Sequence, residues 1–288
     1  MQTTDYTSDQ INLEVAILST QEITSLTSSG PNSEERPMLD SLNGIEGLML
    51  EKEALALFRI CKRLPNKAKI LEIGSYQGGS TLAIGHAIAE TDIELYCLDP
   101  WSNYINQDDF ATFERSKVSD DFRIINNFIK NTAFIGENLR MLRGKSSAFA
   151  GLLNGKCFDF IFIDGAHDYD SVRNDIKIAF SALKPGGFVC GHDYHSEGHG
   201  VRQAVDELIA GAPSIEKKGK FDETHIWFGV ITEPAYEYVL TDISDSMKAG
   251  RLTEALEKAY AAYAEFKNAE ILNYISAIKS KISQQDVW

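Results

Sequence analysis

The sequence predicts an α/β fold: a doubly wound, mainly parallel seven-stranded sheet with an antiparallel last strand. Three observations carry this expectation. From residue 69 onward, short apolar strand-like runs alternate with helical segments of about ten to fifteen residues, the pattern of βαβ units. The run FDFIFID at 158–164 is almost continuously apolar, as suits a strand covered on both faces. The last two strand-like pieces, SIEKKGKF and THIWFGVIT, read as a closing antiparallel pair.

Each element has its own signal. Ile45, Leu48, Met49, Leu55, Phe58 and Cys61 recur at helical spacing, and Pro65 ends that segment. KILEIG (69–74) reads as a strand ending in Gly, STLAIGHAIAE (80–90) as a helix, and IELYCLD (93–99) as the next strand. Residues 118–130 read as a helix with Ser119 as N-cap, TAFIG (132–136) as the third strand, and 145–153 as a short helix. After FDFIFID come a helix over 169–183, a KPGG turn at 184–187, the strand FVCGHD (188–193) and a helix over 201–210. Gly74, Asp99, Gly136, Asp164 and Asp193 thus fall at predicted strand ends, where ligands bind in open α/β sheets.

Three regions are expected. Residues 1–44 are Ser/Thr-rich and contain SSGPNSEERP. Residues 1–53 hold ten acidic and two basic side chains, −8 of the chain's −14. This suits a flexible or loosely docked acidic arm, in which Ile11–Leu18 is apolar enough to pack or to act as a lid. Residues 45–232 form the α/β domain, and 233–288 a helical appendage. The stretch AGRLTEALEKAYAAYAEFKNAEILNYISAIKS resembles half of a tetratricopeptide pair, too little for a solenoid. Its amphipathic face, with Leu252, Leu256, Tyr260, Tyr263 and Phe266, suggests a homo-oligomer, most simply a dimer.

The 288 residues are 43% hydrophobic and 24% charged, an ordinary globular mix. A net charge of −14 repels phosphate backbones and anionic lipid, so no nucleic-acid or membrane partner is expected. No apolar run is long enough to span a bilayer, and the first twenty residues lack a basic region and cleavage site. Cys61, Cys97, Cys157 and Cys190 are far apart with no CxxC, which argues against a disulfide framework or zinc ribbon. A reducing cytoplasmic setting is expected.

The segment Ile70-Leu-Glu-Ile-Gly-Ser-Tyr-Gln-Gly-Gly-Ser-Thr81 places Gly74 at a strand end and Gly78 and Gly79 before a helix. Glycines there let a ligand approach the backbone. GxGxxG is absent, since Tyr76 stands at the second Gly position, and GxxxxGK[ST] is absent too. Glu72 would repel a pyrophosphate and suits a ligand carrying an ammonium group. Tyr263 and Lys267 form a YxxxK pair, but in the C-terminal helix, so it is no dehydrogenase signature.

E-I-G-S-Y-Q-G-G-S at 72–80 resembles motif I of the class I S-adenosylmethionine (SAM)-dependent methyltransferases, which have a Rossmann-like sheet. The resemblance covers about residues 45–232 and implies SAM as cofactor, with Glu72, Gly74, Ser75, Tyr76, Gly78 and Ser80 around it. Asp99 matches the acid that holds the ribose hydroxyls, a task a carboxylate can do by accepting from both. Gly136-Glu137-Asn138 matches the adenine-contacting loop, and Trp101 is placed to cover the adenine face.

Asp164-Gly-Ala-His167-Asp-Tyr169 and Gly191-His-Asp-Tyr-His195, with His199 nearby, resemble the divalent-metal-dependent O-methyltransferases of catechol and macrolide-sugar type. The resemblance implies a cation, Mg or Mn, on Asp164, His192 and Asp193, with Asp164 catalytic and also beside the cofactor, and His167 as general base toward a small-molecule hydroxyl. His192 departs from the pattern, because imidazole suits transition metals better than Mg²⁺. Either His192 is not a ligand, or the metal is not magnesium, or there is no metal. A metal-independent methyltransferase, a hydroxylase-like relative and a non-catalytic SAM-binding assembly module remain open. The O-methyltransferase reading requires Asp164 and Asp193 to converge beside the sulfonium.

Overall fold

The structure, a computed structural model, describes residues 18–45, 49–101, 122–153, 155–195, 200–231 and 236–285. The chain divides into two compact units, residues 1–232 and 233–288. The first is built on seven strands: β1 (Lys69–Ile73), β2 (Glu94–Asp99), β3 (Leu139–Arg143), β4 (Phe158–Ile163), β5 (Leu183–Gly191), β6 (Ile215–Lys220) and β7 (Trp227–Ile231). Their order in the sheet is β3-β2-β1-β4-β5-β7-β6. β1 through β5 pair in parallel, and β7 runs antiparallel to both β5 and β6. This is the Rossmann-like sheet the sequence implies. All six residues of β4 are buried, as their apolar run requires.

The helices of this unit are α1 (Thr20–Thr24), α2 (Arg36–Leu42), α3 (Glu51–Cys61), α4 (Gly79–Ile88), α5 (Arg123–Thr132), α6 (Ser146–Leu153), α7 (Tyr169–Ala182) and α8 (Gly200–Val205). α8 continues into a π-helical turn, Asp206–Ala210. Helix α7 begins where Asp168 accepts from the Ser171 N–H, a side-chain N-cap. The strand order reverses between β1 and β4, which opens a crevice at their carboxyl ends.

Four expectations need correction. TAFIG is not a strand: α5 runs through Thr132 and a 3₁₀ turn covers Ala133–Asn138. The third strand is the next segment, LRMLR, so Gly136 precedes a strand rather than ending one. KPGG lies within β5, where Leu183 pairs with Phe158 and Phe188 with Phe160, so the segment bulges from the ladder. The first helical stretch begins at Glu51, not residue 45. Helix α5 starts at Arg123, and the expected cap Ser119 lies outside the described residues.

The fourth correction concerns the arm. Residues 18–45 are docked: Ile23, Leu26 and Met38 are buried in the same core as α3 and β1. Arg59 on α3 clamps this segment. Its Nε and Nη2 donate to the two Glu35 carboxylate oxygens at 2.6 and 2.9 Å, and Nη1 and Nη2 reach the carbonyls of Leu26, Ser29 and Gly30. The Thr27 hydroxyl donates to the Asp222 carbonyl at 2.9 Å. Most of the Ile11–Leu18 stretch falls outside the described residues.

The second unit holds α9 (Glu237–Lys248), α10 (Leu252–Phe266) and α11 (Ala269–Gln285). Leu240, Ile243, Leu252, Ala255, Ala259, Ala262, Ile271, Ile275 and Ile278 form its own buried core. Leu256, Tyr263 and Phe266 pack against that core, whereas Tyr260 and Leu272 stay exposed. The three helices therefore hide most of the apolar face that suggested a partner.

Candidate functional site

The turn after β1 is fixed by backbone geometry. Gly74 has φ +89°, and a Cβ there would lie 2.0 Å from the Asp164 carbonyl oxygen. Only glycine lets the ends of β1 and β4 meet this closely. Tyr76 (φ 44°), Trp101 (φ 40°) and Asp193 (φ 60°) also hold left-handed conformations, all at carboxyl ends of strands. Such backbone strain gathers where the surrounding structure over-determines it, as at ligand sites.

Beneath the turn lies Glu72, fully buried. Its carboxylate accepts from the hydroxyls of Ser75 (2.6 Å), Ser80 (2.5 Å) and Thr81, and from the Cys97 thiol at 3.2 Å. Burial raises its pKa while these donors pull it back. Glu72 and Ser80 therefore face inward and hold the turn, rather than presenting free groups to a cofactor ammonium.

Asp99, at the end of β2, ties the same loop from the other side. Oδ2 accepts the N–H groups of Ser75 and Tyr76, both at 3.0 Å, and Oδ1 accepts the Trp101 N–H at 2.6 Å. Burial raises its pKa against these three bonds. A carboxylate has about four acceptor sites, so capacity remains for a ligand hydroxyl. Trp101 is buried: its indole N–H donates to the Tyr76 carbonyl at 2.9 Å and its ring packs on Phe128 at 4.7 Å. It braces the loop that carries Tyr76.

Asn138 is misplaced in the sequence reading. It precedes β3, whose Leu139 pairs with Leu95 near the start of β2. Its amide donates to the Thr91 carbonyl at 2.9 Å. At about 3.3 Å per residue, it sits some 15 Å along the sheet from the Asp99 end. The misassigned third strand caused the error.

The second cluster gathers at the ends of β4 and β5. Asp164, His167 and Asp193 each offer one ligand atom, all within 4.8 Å of one another. His167 Nε2 lies 3.0 Å from Asp193 Oδ2. His192 faces another way: its Nε2 is 2.9 Å from Glu53 Oε2, and its Nδ1 is 3.2 Å from Asp193 Oδ1 and 3.8 Å from Asp164 Oδ1. With Nε2 at Glu53 and Nδ1 turned to the carboxylates, His192 does not join the group of Asp164 and Asp193, whereas His167 does.

Glu53 was not singled out from the sequence. It sits in the first turn of α3, where an acid normally faces water near the positive helix end. Here it is fully buried, accepting the N–H of Leu50 and of His225, each at 2.9 Å. A glutamate directly before the apolar run ALALF was the available signal. Glu53, His192 and His225 form a second compact group. His195 approaches Asp193 at 4.0 Å, and His199 lies outside the described residues.

Charge is unevenly distributed over this cluster. Burial raises Asp164 to a pKa of about 6, helped by Asp193 and opposed by His192. Burial would also raise Asp193, but the bonds from His167 and His192 hold it well below the usual carboxylate range. Burial would lower His192, yet Asp164, Asp193 and Glu53 together push it up to about 11. His192 thus lies among three carboxyl groups that favour its protonated form.

Residues 71–194 match a family model described as a methyltransferase domain. This segment resembles a class I SAM-dependent methyltransferase domain. Among solved structures, cofactor-bound Rv0187 from MTB has a TM-score of 0.50 at 14% identity, covering 74% of this chain and 96% of its own. The SAH-bound Podospora anserina methyltransferase PaMTH1 has a TM-score of 0.50 at 15% identity, covering 81% and 98%. At such identities the likeness is one of fold. No curated protein matches the chain. Both the Gly74 turn and the Asp164/Asp193 cluster lie inside the matched methyltransferase segment, whereas Glu53 lies before it. Among the described residues, no helix is long and apolar enough to cross a membrane.

Proposed function

We propose that this methyltransferase domain moves the SAM methyl group to a hydroxyl oxygen of a small-molecule acceptor. The observation that carries this reading is the convergence of Asp164, His167 and Asp193 at the crevice beside the Gly74 turn. SAM supplies a methyl already activated on a sulfonium. The chain must place the acceptor oxygen in line with it and remove the hydroxyl proton, which positioning and a general base accomplish. Asp99 is assigned to the ribose hydroxyls and the Ser75–Gly78 backbone to the rest of the cofactor.

The Asp164 and Asp193 carboxylates, with ligand atoms within 4.8 Å of each other, fit a divalent cation such as manganese. Such a cation would supply Lewis acidity toward the acceptor oxygen. Asp164 and Asp193 would hold it. His167, beside both, accepts the acceptor proton. One observation supports a metal-free variant of the same reaction: the His192 Nδ1, 3.2 Å from Asp193 and 3.8 Å from Asp164, already stands beside both aspartates.

The test is methyl transfer from labelled SAM to a panel of hydroxyl acceptors after chelation, with Mg²⁺, Mn²⁺ and Ca²⁺ added back. Activity restored by Mn²⁺, and a His167→Ala variant that still binds Mn²⁺ but falls by about a hundredfold, support the reading. Full activity in chelator removes the cation, and no transfer to any hydroxyl removes the reaction.

A further inference from the structure

We infer that Glu53 is a positioning residue for Asp193, acting through His192. This rests on the reading of Asp164, His167 and Asp193 as a cation site.

The geometry is a continuous chain of contacts from the core to the crevice. Glu53 Oε2 meets His192 Nε2 at 2.9 Å, His192 Nδ1 meets Asp193 Oδ1 at 3.2 Å, and Asp193 Oδ2 meets His167 Nε2 at 3.0 Å. Its two inner members are fully buried or nearly so: Glu53 is 0% exposed and His192 8%. Glu53 cannot swing away, because the N–H groups of Leu50 and His225 hold its two oxygens. An imidazole whose Nε2 is fixed in this way has only one direction left for Nδ1–H, and that direction is Asp193. Asp193 in turn stands on a left-handed backbone (φ 60°), a conformation uncommon outside glycine although aspartate adopts it more readily than most residues. The strand supplies the first restraint, since His192 N–H donates to the Ile163 carbonyl at 3.0 Å. The Glu53–His192 pair supplies the second.

The consequence is a division of labour across the Asp193 carboxylate. One oxygen is anchored inward to His192, so the other is presented to His167 and to whatever sits between Asp164 and Asp193. Outer groups that orient a ligand in this way typically contribute tenfold to a hundredfold to metal affinity. The device is also topological. α3 precedes the matched methyltransferase segment, so a helix outside it governs a side chain at the far end of β5.

The experiment is a Mn²⁺ titration followed by electron paramagnetic resonance, on the full chain, for wild type, Asp193→Asn, Glu53→Gln and His192→Gln. Glutamine at 192 keeps a donor near the Nε2 position for Glu53 and drops the one facing Asp193. It therefore breaks the link without leaving Glu53 unpartnered, should Glu53→Gln fail to fold. SAM calorimetry and thermal melting run beside each titration. Expected are loss of Mn²⁺ binding in Asp193→Asn and a weakening of about tenfold to a hundredfold in Glu53→Gln and His192→Gln, with SAM affinity unchanged. Loss in Asp193→Asn with wild-type affinity in His192→Gln overturns the positioning role and leaves the site. Equal Mn²⁺ binding by wild type and Asp193→Asn overturns the site itself. Loss in Glu53→Gln with retention in Asp193→Asn places the ion on Glu53, His192 and His225 instead, and overturns the inference.

Discussion

Replacing Asp175 by asparagine should make the α/β unit more stable at pH 8 and nearly unchanged at pH 4. Asp175 lies on α7, buried, with the Ser146 hydroxyl donating to Oδ1 and Oδ2 close to Gly165. Burial pushes its pKa up to about 7, well above the ordinary aspartate range, and the side-chain hydrogen bonds of Ser146 and Asn174 do not offset the lost hydration. The folded state therefore holds the proton more tightly than the unfolded chain. Below pH 4 both states are protonated and no penalty exists. Between pH 4 and 7 the unfolded chain ionises first, so stability falls as pH rises. Above pH 7 both are ionised and the full penalty stands. A gap of that size corresponds to about 4 kcal/mol, of which relaxation around the site should leave about 2–4 kcal/mol measurable. The asparagine side chain stays neutral at every pH and can still accept from Ser146. The assay is urea unfolding from pH 4 to 8, read by fluorescence of Trp101 and Trp227, both buried in this unit. Asp164 and His192 also titrate differently in the folded state. They are common to both proteins, so the difference between the two curves isolates Asp175. A difference that does not grow between pH 4 and 7 would refute the reasoning, because it would mean Asp175 is held as a satisfied carboxylate.

Gly74→Ala should destabilise the unit by more than about 3 kcal/mol, since a Cβ at φ +89° would meet the Asp164 carbonyl at 2.0 Å; chemical denaturation checks it. Arg59→Ala leaves Glu35 buried without its partner and should cost about 3 kcal/mol, with new proteolytic cleavage between residues 28 and 34; Arg59→Lys cannot restore the forked contact and should recover only part. Asp99→Ala takes the acceptor from the N–H groups of Ser75, Tyr76 and Trp101 and should weaken SAM binding by about tenfold to a hundredfold in calorimetry; unchanged affinity would remove Asp99 from the site.

Much of the sheet was legible because buried strands declare themselves. Ile70, Leu71, Phe160, Phe162, Phe188 and Val189 are apolar because both sides are covered, and the acids that follow them mark the crevice. β3 did not declare itself: as an edge strand, LRMLR carries exposed arginines at 140 and 143, while the neighbouring TAFIG is more apolar and mimicked a strand. The site was legible as residue types at strand ends and illegible as orientations. That Glu72 turns inward depends on Ser80, Thr81 and Cys97, and that the Nε2 edge of His192 turns inward depends on Glu53, 139 residues earlier in the chain. Local spacing holds no record of such pairings.

The hydroxyl-and-thiol nest around Glu72 also bears on turnover. Its four donors are satisfied by protein alone, so the loop above it is assembled before any cofactor arrives. A preassembled cradle spares the arriving molecule the entropic cost of ordering that loop. The same rigidity gives the cradle little means of telling the methylated cofactor from its spent form, since the two share every group remote from the sulfur. Accumulated spent cofactor would then compete directly with fresh.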